Sequence, residues 1–173
     1  MSSLPIFCIL KVVKQLVKIS DLTNSTHQKQ CLMISKSIFG DLYHNISFFE
    51  HKTNIISLVA LKNETAIGFL IAHFINENKI KLDCVGVSKK FQNQKVGTQL
   101  MYYFIKNKLS DSVKIVAHAW KNKDGINAQN LNLKFGLKPV LNLGKIWVNE
   151  CNKSFKCPYY EGSCTCESIE FSN

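Results

Sequence analysis

The feature that most constrains the fold of this chain is a block of three apolar runs joined by very short polar breaks. The runs read IISLVALKN, TAIGFLIAHFI and KIKLDCVGVS, and they fill most of residues 55–88. Asn63 and Glu64 form the first break, and Asn-Glu-Asn at residues 76–78 forms the second. Connections this short are typical of hairpins, so the block predicts three antiparallel strands in a meander.

Helices and further strands flank this block. A helix is predicted over about residues 27–39, because apolar residues recur near helical spacing, a Thr-Asn-Ser cluster can cap its start and Gly40 follows its end. Two more helices are predicted over about residues 94–109 and 127–135, the second closed by Gly136. Strands are predicted at residues 15–20, in VKIVAHAW and near residues 138–148. The order β, α, three β, α, β, α, β predicts an α/β (mixed α+β) fold with a mixed sheet.

The chain has 173 residues and is 46% hydrophobic, which suffices for one domain with a sizeable core. We expect an N-terminal extension over residues 1–14, the folded domain over residues 15–148, and a cysteine-rich tail packed on the domain over residues 149–173. Residues 40–54 are rich in aromatic side chains and match no regular pattern, so they are left unassigned.

The formal charge is +10 at pH 7, and the sequence contains no arginine, so all 22 basic residues are lysine. Arginine makes the commonest specific contact to guanine, and lysine only partly replaces it. Sequence-specific recognition of nucleic acid is therefore not expected. Two interpretations remain, a solvated lysine surface and a positive field that favours anionic ligands, among them phosphate-rich cofactors and RNA.

No segment of the sequence has the length and apolar character of a membrane-spanning helix. The apolar stretch at residues 4–10 is shorter than the ~20 residues that such a helix needs, and it lacks the charged start of a signal peptide. We expect a soluble, cytoplasmic protein without a membrane partner, whose seven cysteines are mostly reduced. Its oligomeric state is left open.

The last run of the meander, KLDCVGV, leads directly into the loop and helix of SKKFQNQKVGTQLMYYFIKNKL. The start of a helix offers about four backbone N–H groups without a partner and the positive end of the helix dipole. An anion can bind there without a charged side chain, and a loop with few bulky side chains lets it come close. The junction is compatible with an anion site, although most junctions of this kind bind nothing.

The amino-acid sequence of this junction resembles a known motif. VSKKFQNQKVGTQLM is similar to the acetyl-CoA-binding motif V-x-P-x-Y-R-x-x-G-x-G-x-x-L of the GNAT superfamily of N-acetyltransferases. AQNLNLKFGL is similar to the later A-x-x-x-Y-x-K-x-G-F helix of that family. The matching residues are Val87, Phe91, Gln92, Gly97 and Leu100 in the first motif and Ala128, Lys134, Gly136 and Leu137 in the second. The resemblance covers roughly residues 15–148, the expected N-acetyltransferase domain.

The resemblance implies a GNAT-like central mixed sheet, in which a fourth and a fifth strand splay apart, with flanking helices. It also implies that acetyl-CoA lies beside the fourth strand, where a bulge exposes backbone groups, with its pyrophosphate on the amides of residues 93–98. The implied cofactor-binding residues are Val85, Val87, Gln92, Asn93, Gln94, Lys95, Val96, Gly97 and Thr98. An acceptor amine on a small molecule or a protein would attack the thioester directly, without a covalent enzyme intermediate.

Two positions depart from the family pattern. Lys95 stands where the family has its first glycine, which crowds the loop but places an ammonium group beside the pyrophosphate. Asn132 aligns with the family tyrosine that often protonates the departing thiolate, and an amide cannot act as an acid. Asn132 is compatible with catalysis through another proton donor, and equally with a non-catalytic acyl-CoA-binding or zinc-bearing interaction module. Nonspecific RNA binding, which the charge alone suggests, is a third alternative.

Two side chains are candidates for the catalytic base that accepts the amine proton. Asp83 shares a strand face with Lys81 and Val85, so it can point at the cofactor cleft or lie on plain surface. His118 in VKIVAHAW is suited to proton transfer by its residue type, with a hydrogen-bonded structural histidine as the alternative. Trp120 in the same run is either an acceptor-pocket residue or part of the core.

The tail carries Cys151, Cys157, Cys164 and Cys166 in the spacing C-x5-C-x6-C-x-C. Four thiolates close together suit a structural tetrahedral zinc ion, but the spacing is not a repeated C-x2-C pair, so free or redox-active thiols and a disulfide remain alternatives. Trp147, CPYY and CTCESIEF resemble the tails of some microbial GNAT members, which close with a C-x-C before a last strand. Cys8, Cys31 and Cys84 are interpreted as small buried hydrophobic residues.

Overall fold

The computed structural model of the chain describes residues 17–50 and 52–173, and the expected extension at residues 1–14, with Cys8, lies outside them. Within the described residues, eight strands form one sheet in the order β1-β2-β3-β4-β5-β8-β7, with β6 paired to β5. They are β1 (Lys18–Asp21), β2 (Ile55–Lys62), β3 (Thr65–Asn76), β4 (Lys79–Val87), β5 (Lys114–Asn122), β6 (Gly125–Ile126), β7 (Lys138–Gly144) and β8 (Glu167–Ser172). Because β4 and β5 are parallel among antiparallel neighbours, the predicted mixed sheet is confirmed.

Strands β2, β3 and β4 form the predicted antiparallel meander. Asn63 and Glu64, which join β2 to β3, have φ angles of 49° and 58°. Two positive φ angles in a two-residue turn give it a twist that matches the twist of the strands it connects. β3 is buried along most of its length, so the meander lies in the interior of the fold with both faces covered.

Three α-helices are present in the described part of the chain: α1 (Ser25–Phe39), α2 (Val96–Lys108) and α3 (Gln129–Lys134). The side chain of Asn24 accepts hydrogen bonds from the backbone N–H groups of Thr26 at 2.8 Å and His27 at 3.2 Å, so the predicted cap of the first helix is confirmed. α2 and α3 begin two residues later than predicted, because Lys95 and Ala128 in front of them have left-handed φ angles of 64° and 57°.

Two segments complete the fold away from the helices. The unassigned residues 40–54 contain a 3-10 turn, Ile46–Phe49, and the Phe49 ring packs edge-on against Phe69 with 5.0 Å between ring centroids. The strand predicted near residues 138–148 is shorter, since β7 ends at Gly144, where φ is 68° and the chain turns away. β8 follows the cysteine-rich segment and lies between β5 and β7, in line with the closing strand implied by CTCESIEF.

Two apolar cores lie on opposite faces of the sheet. Neighbouring residues of β2 divide between them, since Leu58 belongs to the core under α2 and Val59 to the core under α1. Cys31 and Cys84 are 0% and 7% exposed in the α1 core, so their interpretation as buried residues is confirmed. Among the described residues, we find no helix with the length and apolar character needed to cross a membrane.

Candidate active site

The parallel strands β4 and β5 separate to form a cleft. Their pairing ends where Leu82 lies opposite Ala117. At the next residue the register of β4 against β3 shifts, which leaves Asp83 as the extra residue of a β-bulge. The splay predicted for the fourth and fifth strands is therefore confirmed. Asp83 and His118, the two candidate bases, are the first residues beyond the paired segment, one on each side of the opening.

The cleft has a volume of about 900 Å³, and residues of β4, the following loop and α2 line one side of it. These include the cofactor-binding residues that the family resemblance implies, namely Val85, Val87, Gln92, Asn93, Lys95, Val96, Gly97 and Thr98. Gln94 does not line the cleft, because its side-chain amide donates to the carbonyl oxygen of Lys90 at 2.9 Å. The amide of Gln92 also braces the loop, donating to the Val87 carbonyl oxygen at 3.0 Å.

Helix α2 begins at this cleft with its first amides uncapped. Lys95, just before the helix, makes no capping hydrogen bond with its side chain, and the first helical hydrogen bond runs from Gln99 N–H to the Lys95 carbonyl oxygen at 2.9 Å. The N–H groups of Val96, Gly97 and Thr98 therefore have no helical carbonyl to donate to. With the positive end of the helix dipole, they form a place where an anion is favoured.

Lys95 has the backbone conformation of a glycine although it carries a long side chain. Its φ and ψ angles are 64° and 13°, in the left-handed region that glycine adopts without strain. Its side chain is exposed. Lys95 thus adopts the left-handed turn into α2 that glycine would adopt without strain, and its exposed ammonium group can lie beside an anion.

Asp83 forms a hydrogen bond with a histidine at the cleft. His73 on β3 donates from Nδ1 to Asp83 Oδ2 at 2.6 Å, and 19% of the Asp83 side chain is exposed. Burial raises the pKa of Asp83, while the hydrogen bond and charge of His73, and the more distant charges of Lys81 and His118, oppose that rise. The structure therefore places Asp83 in the cleft as a carboxylate that is more basic than usual.

His118 lies across the opening from Asp83. Its Nε2 is 3.3 Å from Glu170 Oε2 on β8, and 24% of its side chain is exposed. Burial, and then the charge of Lys81, lowers the pKa of His118, although Glu170 acts in the opposite direction. A neutral imidazole at pH 7 can accept a proton, and the contact with Glu170 also suits a structural histidine.

Asn132 faces the same cleft from α3. It is 3% exposed, and its backbone carbonyl accepts hydrogen bonds from the N–H groups of Phe135 and Leu137, both at 3.0 Å. These hydrogen bonds close the end of α3 and hold Asn132 at the cleft. Its side-chain amide can orient a ligand by hydrogen bonding but has no acidic proton to give to a leaving group.

An aromatic wall closes the cleft beyond the two candidate bases. It consists of Phe39, Tyr43, Trp120, Trp147 and Tyr159, which come from α1, β5 and the segments that follow α1 and β7. The ring centroid of Trp120 lies 5.8 Å from that of Phe39, 5.2 Å from Tyr43, 5.6 Å from Trp147 and 5.9 Å from Tyr159, always edge-to-face. Edge-to-face pairs stabilise beyond the area that they bury, so the rings support one another.

The titratable rings beside this wall are neutral. Burial lowers the pKa of His44, which stacks on Phe48, from its ordinary 6.5 to about 4. Burial also raises the pKa of Tyr43, more than the hydrogen bonds from the side chains of Trp120 and Trp147 lower it. His44 and Tyr43 are therefore uncharged near neutral pH.

The four tail cysteines gather behind the aromatic wall. Cys151, Cys157, Cys164 and Cys166 pack with Phe155 against the wall residues Tyr43, Trp147 and Tyr159. All four are free thiols, and burial raises the pKa of Cys151 to about 12 and that of Cys166 to about 11. In the described part of the chain, no group of three or more histidine, cysteine or acidic side chains is arranged to hold a metal ion, so the structure does not support the suggested zinc.

His73, Glu170 and most of the aromatic wall were not expected from the sequence. A signal for His73 existed, since in the predicted meander it lies opposite Lys81, and Asp83 follows two residues later on the same face. Glu170 reaches His118 only because β8 lies beside β5, a pairing between distant parts of the chain. No local pattern indicates such a contact.

Comparison with known proteins identifies one family. The sequence model of the Acetyltransferase (GNAT) family matches residues 18–137. No curated protein matches the chain in sequence. The match includes the meander, the loop before α2 and the whole of α3.

Several solved structures share the fold. NAA60 of Arabidopsis thaliana in complex with acetyl-CoA is 14% identical with a TM-score of 0.69, over 91% of this chain and 98% of that chain. An aminoglycoside 6'-N-acetyltransferase complexed with coenzyme A is 14% identical with a TM-score of 0.70, over 90% and 96%. The ribosomal-protein-S18-alanine N-acetyltransferase from Escherichia coli is 12% identical with a TM-score of 0.69, over 91% and 92%. At these identities the likeness is one of fold.

Proposed function

The chain belongs to the GNAT family of acetyltransferases, and from that premise we propose that it transfers the acetyl group of acetyl-CoA to an amine by direct attack in a ternary complex. The main support for the proposal is that three features lie in a single cleft. These are the uncapped start of α2, the edge of β4 left free by the splay, and the two candidate bases.

The start of α2 is the proposed site of the cofactor's pyrophosphate. The N–H groups of Val96, Gly97 and Thr98 and the positive end of the helix dipole favour an anion there. Beyond Leu82, the side of β4 that faced β5 has no paired strand, so backbone groups near Val85 and Val87 are available to the pantetheine arm. Both features lie in one continuous cleft, which supports a cofactor bound along it.

In the proposed reaction the amine nitrogen bonds to the acetyl carbonyl carbon, and the carbon–sulfur bond of the thioester breaks. Asp83 accepts the proton that an ammonium group must lose before its nitrogen can attack. The nitrogen gives its second proton to solvent after the attack, and the CoA thiolate takes a proton from solvent, because Asn132 has none to give. Burial raises the pKa of Asp83, which makes it a better base, and His73 holds the carboxylate in position. His118 on the opposite strand is the alternative base.

CoA binding is the first test of this proposal. We expect CoA to raise the melting temperature by several degrees, because ligand at ~100 times its Kd stabilises a protein by about 2.7 kcal/mol. ATP serves as the control, since it carries adenine and phosphates but no pantetheine arm. The absence of any shift with CoA would contradict both the enzyme and the non-catalytic acyl-CoA-binding alternative. Steep salt-dependent retention on RNA would instead favour RNA binding.

Turnover is the second test. Release of thiol from acetyl-CoA in the presence of primary amines separates an enzyme from a non-catalytic binding module. We expect Asp83→Asn to lower kcat by roughly 10²- to 10⁴-fold, the usual contribution of a positioned base, with little change in the Kd of CoA. The matched variant is His118→Gln. A large loss of kcat in His118→Gln, with normal kcat in Asp83→Asn, would show that His118 on β5, and not Asp83, is the base.

A further inference from the structure

The charges around the cleft limit the kind of amine that it can accept. Among the described residues that line it, Asp83 is the one carboxylate, whereas Lys81 and Lys95 contribute ammonium groups. Asp83 already pairs with His73 at 2.6 Å. A substrate with two or more ammonium groups would therefore find no second carboxylate in the cleft, within a chain whose formal charge is +10.

The aromatic wall provides the opposite kind of surface. Its five rings, Phe39, Tyr43, Trp120, Trp147 and Tyr159, line the same cleft as Asp83 and His118. Trp120 and Tyr43 are held in place by their edge-to-face neighbours, and Trp147 packs against the four tail cysteines. Rigid aromatic surface binds flat apolar groups at little cost in side-chain ordering.

We propose that the acceptor is a primary amine with a single positive charge, borne within a few bonds of a flat apolar group that packs on the aromatic wall. The inference rests on the proposed function and adds the substrate class to it. A free arylalkylamine and the N-terminus of a peptide that begins with an aromatic residue share this chemistry. In both, the apolar group would lie on the wall while the nitrogen lies by Asp83.

The absence of charge on His44 and Tyr43, together with the packing of these rings, supports this assignment. His44 stacks on Phe48 with 3.9 Å between ring centroids, and its Nδ1 is 2.6 Å from Ser35 Oγ. Burial keeps the imidazole of His44 and the phenol of Tyr43 uncharged near pH 7. An apolar group can therefore replace water at the wall without the desolvation of a charged side chain.

An amine panel tests the proposal with the full chain and acetyl-CoA. The panel is 2-phenylethylamine, 1,5-diaminopentane, spermidine, ethanolamine, and two short peptides that begin with phenylalanine or glycine. We expect kcat/KM for 2-phenylethylamine to exceed the values for ethanolamine and both polyamines by at least ~10-fold, the size of discrimination that an apolar pocket gives. Comparison of the phenylalanine peptide with 2-phenylethylamine distinguishes the two sources of the amine.

A pair of neighbouring variants tests the wall itself. Tyr159→Ala removes a ring that lines the cleft and contacts Trp120. Tyr160→Ala is the matched control, because Tyr160 is 38% exposed and its hydroxyl donates to the Gly162 carbonyl oxygen outside the cleft. We expect Tyr159→Ala to lower the ratio of kcat/KM for 2-phenylethylamine to that for ethanolamine by ~10-fold. Tyr160→Ala should leave that ratio unchanged.

The ratio of two substrates in one preparation does not depend on the folded fraction, so a poorly folding variant still gives an answer. If 1,5-diaminopentane or ethanolamine is acetylated as efficiently as 2-phenylethylamine, the proposed acetyl transfer stands but the inferred acceptor class is wrong. An unchanged ratio in Tyr159→Ala also overturns it. A protein that binds CoA yet acetylates no amine overturns the proposed reaction, and the acceptor class with it.

Discussion

At the scale of single residues, Gly97 combines helical structure with close approach to the cleft. A Cβ atom there would lie 3.5 Å from Leu131, 3.8 Å from Val87 and 3.9 Å from Val85, all ordinary contacts with residues that line the cleft. We expect Gly97→Ala to keep or raise the free energy of unfolding, by about 0.5–1 kcal/mol, since alanine is the better helix former.

The same substitution should weaken CoA binding. Its methyl group would enter the space proposed for the cofactor, so we expect the Kd of CoA to rise by ~10-fold or more, equivalent to about 1.4 kcal/mol. Titration calorimetry and urea denaturation measure the two quantities on one sample. Asn107→Ala at the far end of α2 is the control. Weaker CoA binding without loss of stability supports the site, and unchanged binding contradicts it.

Lys95 separates the roles of backbone and charge in cofactor binding. Its φ of 64° strains the lysine backbone by roughly 1 kcal/mol, and glycine would relieve that strain. Glycine also makes the unfolded chain more flexible, which partly offsets the gain in stability. We therefore expect Lys95→Gly to retain stability and to bind CoA as well as, or more tightly than, the parent. Lys95→Ala, which keeps the strain, is the companion variant. An equal and large loss of CoA affinity in both would assign the binding to the lysine charge.

At the scale of secondary-structure elements, the end of α1 packs closely against the tail where Gly40 meets Lys156. A Cβ on Gly40, whose φ is 94°, would lie 1.6 Å from the carbonyl oxygen of Lys156, and Lys156 N–H donates to the Asp41 carbonyl oxygen at 2.7 Å. We expect Gly40→Ala to cost about 2 kcal/mol or more of stability and to detach this part of the tail. Alkylation of Cys157, followed by mass spectrometry, should become faster.

Gly162→Ala is the matched control for this prediction. Gly162 has a similar φ of 83°, but a Cβ there would meet no atom within 4 Å. It introduces a side chain at a positive φ without the clash, so Cys157 alkylation should stay at the parent rate. Equal acceleration in both variants would show that backbone strain alone, and not the α1–tail contact, controls the tail.

At the scale of the whole molecule, His44 makes the stability of the fold dependent on pH. Burial lowers its pKa in the folded chain to about 4 from the ordinary 6.5, so the unfolded chain binds the proton more tightly. The stability that neutral His44 contributes is complete above pH 6.5 and is lost as pH falls towards 4. We expect a loss of about 1–2 kcal/mol between pH 7 and pH 5 from this group.

Urea denaturation of the parent and of His44→Gln at both pH values isolates this contribution. Glutamine does not titrate, so the variant should lose less stability than the parent on acidification. Other titrating groups, such as His118, are common to both proteins and cancel in the difference. The same loss in parent and variant would show that protonation of His44 does not destabilise the fold.

Much of the fold could be predicted from local sequence patterns. The Asn63-Glu64 turn, the Asn24 cap and the glycine after α1 each act on residues within a few positions along the chain. The anion site proposed at the start of α2 is equally local, because a short loop and the first turn of a helix would form it. The elements on the proposed cofactor side of the cleft therefore follow from the printed sequence, and the family resemblance is what assigns a cofactor to them.

The acceptor side of the cleft could not be predicted in this way. Tyr43, Trp120 and Tyr159 meet although more than thirty residues separate any two of them in the chain. Asp83 and His118 face one another because β4 bulges where its pairing with β5 ends. Local conformational preferences and apolar spacing thus determined the elements and the left-handed turn that leads into α2. Long-range packing, which no local pattern encodes, decided which side chains share the cleft and what surface they offer to the acceptor.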